Sequence, residues 1–386
     1  MPDLGQMRAP EQPLLSVCMI ARDEELWLPR SLASVRSWAD EIVLVDTGST
    51  DRSLAIAREL GARVFEQPWQ GDFAFHRNQA LAQARGRWIL SLDADEELDQ
   101  QCAPHLRALL NRPEMEAADA VFIEILHLAA DGGHSLQILP RIFRNFAGIH
   151  FEGRIHERLN GGNGRGLRAP IRLVHHGFAQ EPAVMAAKAA RNLGLIRAWV
   201  EQEPTNPTAW AYLAQTQMAS PATAAEALEA GRRALALARS GGADQRGLPR
   251  IFHPLLIALT VMGKRAELAE FAAQCLRELP DYPDPLYSLV WERYSAGDWP
   301  ESHRLARSFV ELQERWRAQA MSYPYGDNHS LYLVPRVLGW WALAAARLGL
   351  GDEAGAVLAR LKQEPGGEEA ARGVLDEMRR EGLAEP

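Results

Sequence analysis

Arg87-Trp88-Ile89-Leu90-Ser91-Leu92-Asp93-Ala94-Asp95-Glu96 is a short apolar run that ends abruptly in carboxylates. Residues 87–92 read as a buried strand, because the run is brief, largely apolar and closed at once by polar residues. Two carboxylates spaced i, i+2 at the carboxyl end of a parallel strand can place one oxygen on a metal and another near a ribose. Opposite unit charges about 4 Å apart interact by about 4 kcal/mol at an effective dielectric of about 20. A divalent ion bound by such a pair would therefore matter greatly to a diphosphate leaving group. The competing reading is an acidic helix start, in which residues 93–99 complement a helix dipole.

Upstream, strand and helix patterns alternate. Residues 14–20 form an apolar run, and residues 24–38 have helical periodicity with Leu26, Leu28, Leu32 and Val35 as the apolar set. A second strand over residues 42–45 runs into the turn Asp46-Thr47-Gly48-Ser49-Thr50-Asp51, where Thr50 is expected to cap a helix reaching about Leu60. A third strand spans residues 63–65 and a helix spans residues 73–85. This order predicts a parallel α/β sheet. Strands expected over residues 120–126, 136–143 and 171–174 would extend it into a mixed sheet. The glycine-rich stretch 160–166 reads as a loop. It neither follows a strand nor opens a helix, so it is not a phosphate loop.

After about Pro182 the strand signals stop, and Ala, Leu, Trp and Arg recur at helical spacing. Trp210, Leu213 and Ala214 follow the turn Pro204-Thr205-Asn206-Pro207, and Tyr287 and Trp291 follow Pro280-Asp281-Tyr282-Pro283-Asp284-Pro285. Gly297-Asp298 and Gly351-Asp352 are expected to lie between helices. Helix pairs punctuated in this way resemble degenerate tetratricopeptide repeats. With 386 residues the chain exceeds what one core usually serves. The expected division is a disordered tail over 1–13, an α/β domain over 14–180 and an all-α repeat domain over 181–386.

A formal net charge of −8 argues against broad nucleic-acid binding. Cys18, Cys102 and Cys275 are dispersed and form neither a disulfide framework nor a zinc motif, which fits a reducing, cytoplasmic setting. No stretch has the length and apolarity of a membrane span or signal peptide, so a lipid acceptor would be reached by peripheral contact.

The first half resembles the family 2 glycosyltransferases of the GT-A fold. The resemblance rests on residues 16–25 (SVCMIARDEE), residues 42–51 (IVLVDTGSTD), Arg77-Asn78-Gln79-Ala80-Leu81 and Leu92-Asp93-Ala94-Asp95-Glu96, and covers roughly residues 14–178. It implies a UDP-sugar donor with Mn²⁺ or Mg²⁺, and a glycan, lipid-linked or protein acceptor. Ile20, Ala21, Arg22 and Glu24 would lie along the donor and Asp46 would bind base or ribose. Asp93 with Ala94 would contact the nucleoside, supported by Arg77 and Asn78, and Asp95 would hold the metal. The family often has a second Asp after the position of Asp46, where this chain has Thr47.

A second cluster joins Arg141, Arg144, residues 151–157 (FEGRIHE) and Val174-His175-His176-Gly177-Phe178. It resembles a branch of the family in which a His-Glu pair stands near the usual acidic base and a His-x-Gly-aromatic motif precedes helical repeats. Inverting transfer needs a group within about 3 Å of the acceptor hydroxyl to take its proton. Glu157 is the expected base and Glu152 the reserve. His156 would orient substrate, and His175 would be a further metal ligand. Arg141 and Arg144 either meet phosphate or alternate along an exposed strand face.

Two other functions compete. A sugar-phosphate nucleotidyltransferase needs a glycine-rich loop after the first strand, where residues 21–25 (ARDEE) contain no glycine. A scaffold would use the repeats to bind a protein partner or a second copy of the chain, with a vestigial catalytic domain. Intact Asp93 and Asp95 speak against it.

Overall fold

The computed structural model describes residues 12–128, 134–145, 148–177, 182–241, 247–319 and 328–384. Most of the expected N-terminal tail, Phe178 and the expected boundary at residues 180 and 181 lie outside the described residues. The chain divides into two compact units, Met1–Ala187 and Lys188–Pro386.

The strands of the first unit are β1 (Leu15–Ala21), β2 (Glu41–Asp46), β3 (Arg63–Glu66), β4 (Trp88–Ser91), β5 (Glu96–Leu98), β6 (Ala120–Leu128), β7 (His134–Arg144), β8 (His150–Glu152), β9 (Arg158–Asn160) and β10 (Gly166–His175). Eight form one sheet in the order β3-β2-β1-β4-β7-β6-β10-β5, and β8 pairs with β9. β3, β2, β1 and β4 run parallel, whereas β7 is antiparallel to both β4 and β6. The helices are α1 (Leu28–Val35), α2 (Ser53–Glu59), α3 (Phe73–Gln83) and α4 (Ala103–Leu110).

The inner parallel strands β1, β2 and β4 read as largely apolar runs because both their faces are covered. Leu15, Val17 and Met19 of β1 join Leu28, Leu32 and Val35 of α1 on one side. Cys18, Val43, Val45 and Ile89 join Ala74 and Ala80 of α3 on the other. β6 instead alternates, with Val121, Ile123 and Ile125 fully buried and Phe122 and Glu124 between them half-buried.

Two local expectations change, and one competing reading fails. α1 begins at Leu28, not near Glu24, and Leu26 is 72% exposed. The reason is an interlock of two loops. The backbone N–H groups of Asp23, Glu24 and Glu25 donate to the side chains of Ser49, Ser53 and Asp51 at 3.0, 2.8 and 3.0 Å. These bonds pin residues 23–25 to the turn after β2, and Asp23 takes the left-handed conformation at φ +54°, outside helical space. Thr50 is accordingly no helix cap: its N–H and hydroxyl both reach Asp23 Oδ1, at 2.7 and 3.1 Å, and α2 starts at Ser53. Residues 93–99 do not open a helix either, since Glu96–Leu98 form β5, antiparallel to β10.

Glu41 ties this unit's edge together, accepting from Ser16 Oγ at 2.6 Å, Arg85 N at 2.5 Å and Arg63 Nη1 at 2.7 Å. Burial pushes its carboxyl up, but these hydrogen bonds outweigh burial and hold it below the usual range. A depressed native pKa gives stability that is present above the unfolded value and is lost as pH falls. Glu41→Gln is expected to make the fall in melting temperature between about pH 5 and about pH 3 shallower. An acid limb as steep as that of the unmodified protein would place the responsible carboxylates elsewhere.

The second unit is helical among the described residues: α5 (Pro182–Gln202, its start in the first unit), α6 (Pro207–Gln217), α7 (Ala224–Ser240), α8 (Leu248–Val261), α9 (Arg265–Glu278), α10 (Asp284–Ala296), α11 (Trp299–Gln319), α12 (Val334–Arg347), α13 (Gly351–Leu361) and α14 (Gly367–Glu381). The proline-marked turns do open helices. Asn206 caps α6 through Thr208 N with Pro207 in the first turn, and Pro285 lies in the first turn of α10. Gly297 closes α10 at φ +74°. Gly351-Asp352, however, lie inside the first turn of α13, and Gly349 at φ +76° makes the turn before them. No helix among the described residues is long and apolar enough to cross a membrane.

Candidate functional site

The carboxyl ends of β1, β2 and β4 lie side by side, the usual place for a ligand on an open sheet. Asp46 ends β2 and is 2% exposed. Its Oδ2 accepts from Gly48 N and Ser49 N at 2.9 and 3.0 Å, a turn that Gly48 permits at φ +109°. Its Oδ1 is buried with no protein partner. Thr47, 5% exposed, donates from both N–H and hydroxyl to Ala21 O and so ties β2 to β1. Ile20 and Ala21 end β1, while the Arg22 side chain is about half exposed beside Asp23. Glu24 gives its N–H to Ser53, and its carbonyl accepts from Trp27 and Leu28.

Asp93 is held between two guanidinium groups. Arg77 of α3 reaches Asp93 Oδ1 at 2.6 Å, and Arg141 of β7 reaches Asp93 Oδ2 at 3.0 Å and Glu96 Oε1 at 2.7 Å. Glu96 Oε2 in turn accepts from Asp93 N at 3.0 Å. Burial alone would push the Asp93 carboxyl up, but Arg77 and Arg141 outweigh it and hold the group well below the usual carboxylate range. Glu96, 1% exposed, goes the other way: burial and the neighbouring Asp93 charge push it up against the pull of Arg141. Arg141 is therefore an internal brace, not a charge on an exposed strand face. Arg144 meets neither expectation; it donates to the carbonyls of Met115 and Ala118 and lies over the Trp88 ring, 4.3 Å from its centroid.

Arg77 Nε also donates to Glu157 Oε1, so Asp93 and Glu157 share one buried cation. The β8–β9 hairpin brings Glu157 there, because Asn78 clasps the Phe151 backbone, its Nδ2 on the carbonyl at 2.9 Å and its Oδ1 on the N–H at 2.8 Å. Arg154 O also accepts from Phe73 N. Glu152 points elsewhere, half-exposed and paired with His150 at 2.9 Å. His156 is exposed and takes the left-handed conformation at φ +53°.

Asp95 and His175 form the other half of the site. His175 Nε2 lies 3.5 Å from Asp95 Oδ1. His127, which the sequence reading did not single out, pairs across β6 and β10 with His175, Nδ1 to Nδ1 at 2.9 Å. Gln137 Oε1 lies 3.1 Å from His127 Nε2 and accepts its proton, which leaves a neutral His127 Nδ1 to accept from His175 Nδ1. Burial, then the His175 charge, push His127 down to about 4 and keep it neutral. His175 Nε2 is thereby the nitrogen turned to Asp95. A Cβ at Gly177 would stand 2.5 Å from His175 Nε2 and 2.6 Å from Asp95 Oδ2, so that glycine leaves the cradle open. The following strap is pinned: His176 N donates to Asp95 O at 2.9 Å, and the His176 ring stacks on Trp27 and meets Glu97 Oε1 at 2.8 Å.

Residues 16–167 match the model of Glycosyl transferase family 2. A TPR repeat-containing protein of Synechococcus elongatus is 37% identical over 201 residues, 49% of this chain and 49% of that protein. An uncharacterized glycosyltransferase of Rickettsia bellii is 32% identical over 129 residues, 33% of this chain and 42% of its own. The chain thus spans about half the length of such relatives or less. Among solved structures, glucosyl-3-phosphoglycerate synthase from Mycobacterium tuberculosis, in complex with Mn²⁺, UDP and phosphoglyceric acid, aligns at 24% identity, 29% of this chain, 43% of that chain and a TM-score of 0.26.

Proposed function

With residues 16–167 matching the family 2 glycosyltransferase model, we propose that the first unit moves a sugar from a nucleotide sugar, a UDP-hexose by preference, to an acceptor hydroxyl with inversion. One observation carries this reading: Asp46 Oδ1 is buried without a partner at the carboxyl end of β2, on the same sheet edge as the Asp93 and Asp95 cluster that follows β4, with β1 between the two strands. An unsatisfied buried acceptor costs about 1–3 kcal/mol, a cost that a base N–H or ribose hydroxyl donating to it would offset. Ile20, Ala21, Arg22 and Glu24 would lie along the nucleoside.

Asp95 and His175 suit a divalent cation, since carboxylate with imidazole is a donor set Mn²⁺ accepts and Gly177 keeps the space between them clear. When bound, Mn²⁺ or Mg²⁺ would offset charge on the departing diphosphate. Asp93, both oxygens engaged, would hold Ala94 and Asp95 in place instead of touching the nucleoside directly. Glu157 would take the acceptor proton on Oε2, its direction set by Arg77 on Oε1. His156, exposed on the same hairpin turn, would orient substrate.

Release of nucleoside diphosphate from a panel of nucleotide sugars tests the reading. UDP release that needs Mn²⁺ or Mg²⁺ is expected; no release from any donor with either metal would overturn it. Gly177→Ala is expected to raise the Mn²⁺ concentration needed for half-maximal release by about 10- to 100-fold, as disturbed support around a ligand does. A titration with unchanged Mn²⁺ requirement would remove Gly177 from the cation's surroundings.

A further inference from the structure

The second unit contains a separate convergence of metal-binding side chains. His253 of α8, Asp284 at the start of α10 and His329 ahead of α12 bring one ligand atom each to within 4.8 Å of the others. They come from three separate segments, so no local sequence motif joins them. We propose that they form a binding site for a zinc-class divalent transition metal that staples these three segments.

His253 Nδ1 lies 3.2 Å from Asp284 Oδ2. Ligand atoms in a tetrahedral site with bonds of about 2.1 Å stand about 3.4 Å apart, so this pair already has the spacing and His329 needs to close by about 1–1.5 Å. The two imidazoles stack with centroids 3.9 Å apart and planes 27° apart, so both rings stand at the same point of the fold.

The carboxylate is built in. Asp284 is 3% exposed, and it accepts from the Tyr282 hydroxyl at 2.6 Å and from Ser330 N at 2.9 Å. Such outer partners orient ligating carboxylates. The segment carrying His329 is held in turn by Gln313, 1% exposed, whose amide bonds both Asn328 and Ser330 at 2.8–3.2 Å. Two imidazoles and one carboxylate leave a fourth position for water. That donor set favours Zn²⁺, Co²⁺ or Ni²⁺ over Mg²⁺ or Ca²⁺.

The test uses the full chain carrying Asp95→Asn, stripped of metal, so that uptake by the first unit is not mistaken for this site. Competition against a chromogenic chelator is expected to give one Zn²⁺ per chain. At roughly a hundredfold excess over Kd the melting temperature of the second unit should rise by about 5–10 °C. Co²⁺ should give the visible absorption bands of a tetrahedral site. His253→Gln and His329→Gln should abolish the uptake and the bands while their metal-free circular dichroism matches the parent. Absence of the Co²⁺ bands in the parent, or uptake that survives His329→Gln, would overturn the proposal; the first requires no variant of this site to fold.

Discussion

Asp95→Asn is expected to lower metal-dependent UDP release by about 10²–10³-fold, the effect of deleting one electrostatic stabiliser from an acyl- or glycosyl-type site. Its far-ultraviolet circular dichroism should match that of the unmodified protein. The substitution preserves side-chain size and leaves the backbone carbonyl that accepts from His176 N in place. What disappears is the carboxylate facing His175 Nε2 at 3.5 Å. Stabilisation of the first unit by UDP in the presence of Mn²⁺ should disappear with it. Turnover equal to that of the unmodified protein would remove Asp95 from the reaction.

Glu157→Gln is expected to cost about 10²–10⁴-fold in transfer, the range for loss of a general base. Donor binding should survive, because the amide oxygen of Gln can still accept from Arg77 Nε and so retain the contact that joins the hairpin to α3. The informative comparison is therefore UDP binding against single-turnover transfer. Retained binding with lost transfer supports the assignment. Retained transfer would move the base to Glu152, which stands half-exposed against His150, or to another group.

Much of the first unit was legible along the chain because its signals are local. Apolar runs mark β1, β2 and β4, and the carboxylates that close β2 and β4 stand out against them. The proline-marked turns opened α6 and α10 for the same reason: proline and a capping side chain act within one turn. The misreadings have a different cause. Leu26 and Thr50 carry good helix signals, yet the two loops bond to each other across about 26 residues of sequence and fix Asp23 in the left-handed conformation. Glu96–Leu98 became a strand because β10 offered an edge.

The site divides along the same line. By itself the sequence determined the apolar strands β1, β2 and β4, the carboxylates that follow β2 and β4, and the helical character of the second half, since each depends on neighbours a few residues apart. Only the tertiary structure decided the partnerships. It placed Arg77 and Arg141 on Asp93, put Glu157 against Arg77, set His127 behind His175, and gathered His253, Asp284 and His329. Those pairings join segments well separated in sequence, and the charges and lone pairs involved have no preferred partner until the sheet register and helix packing bring them together.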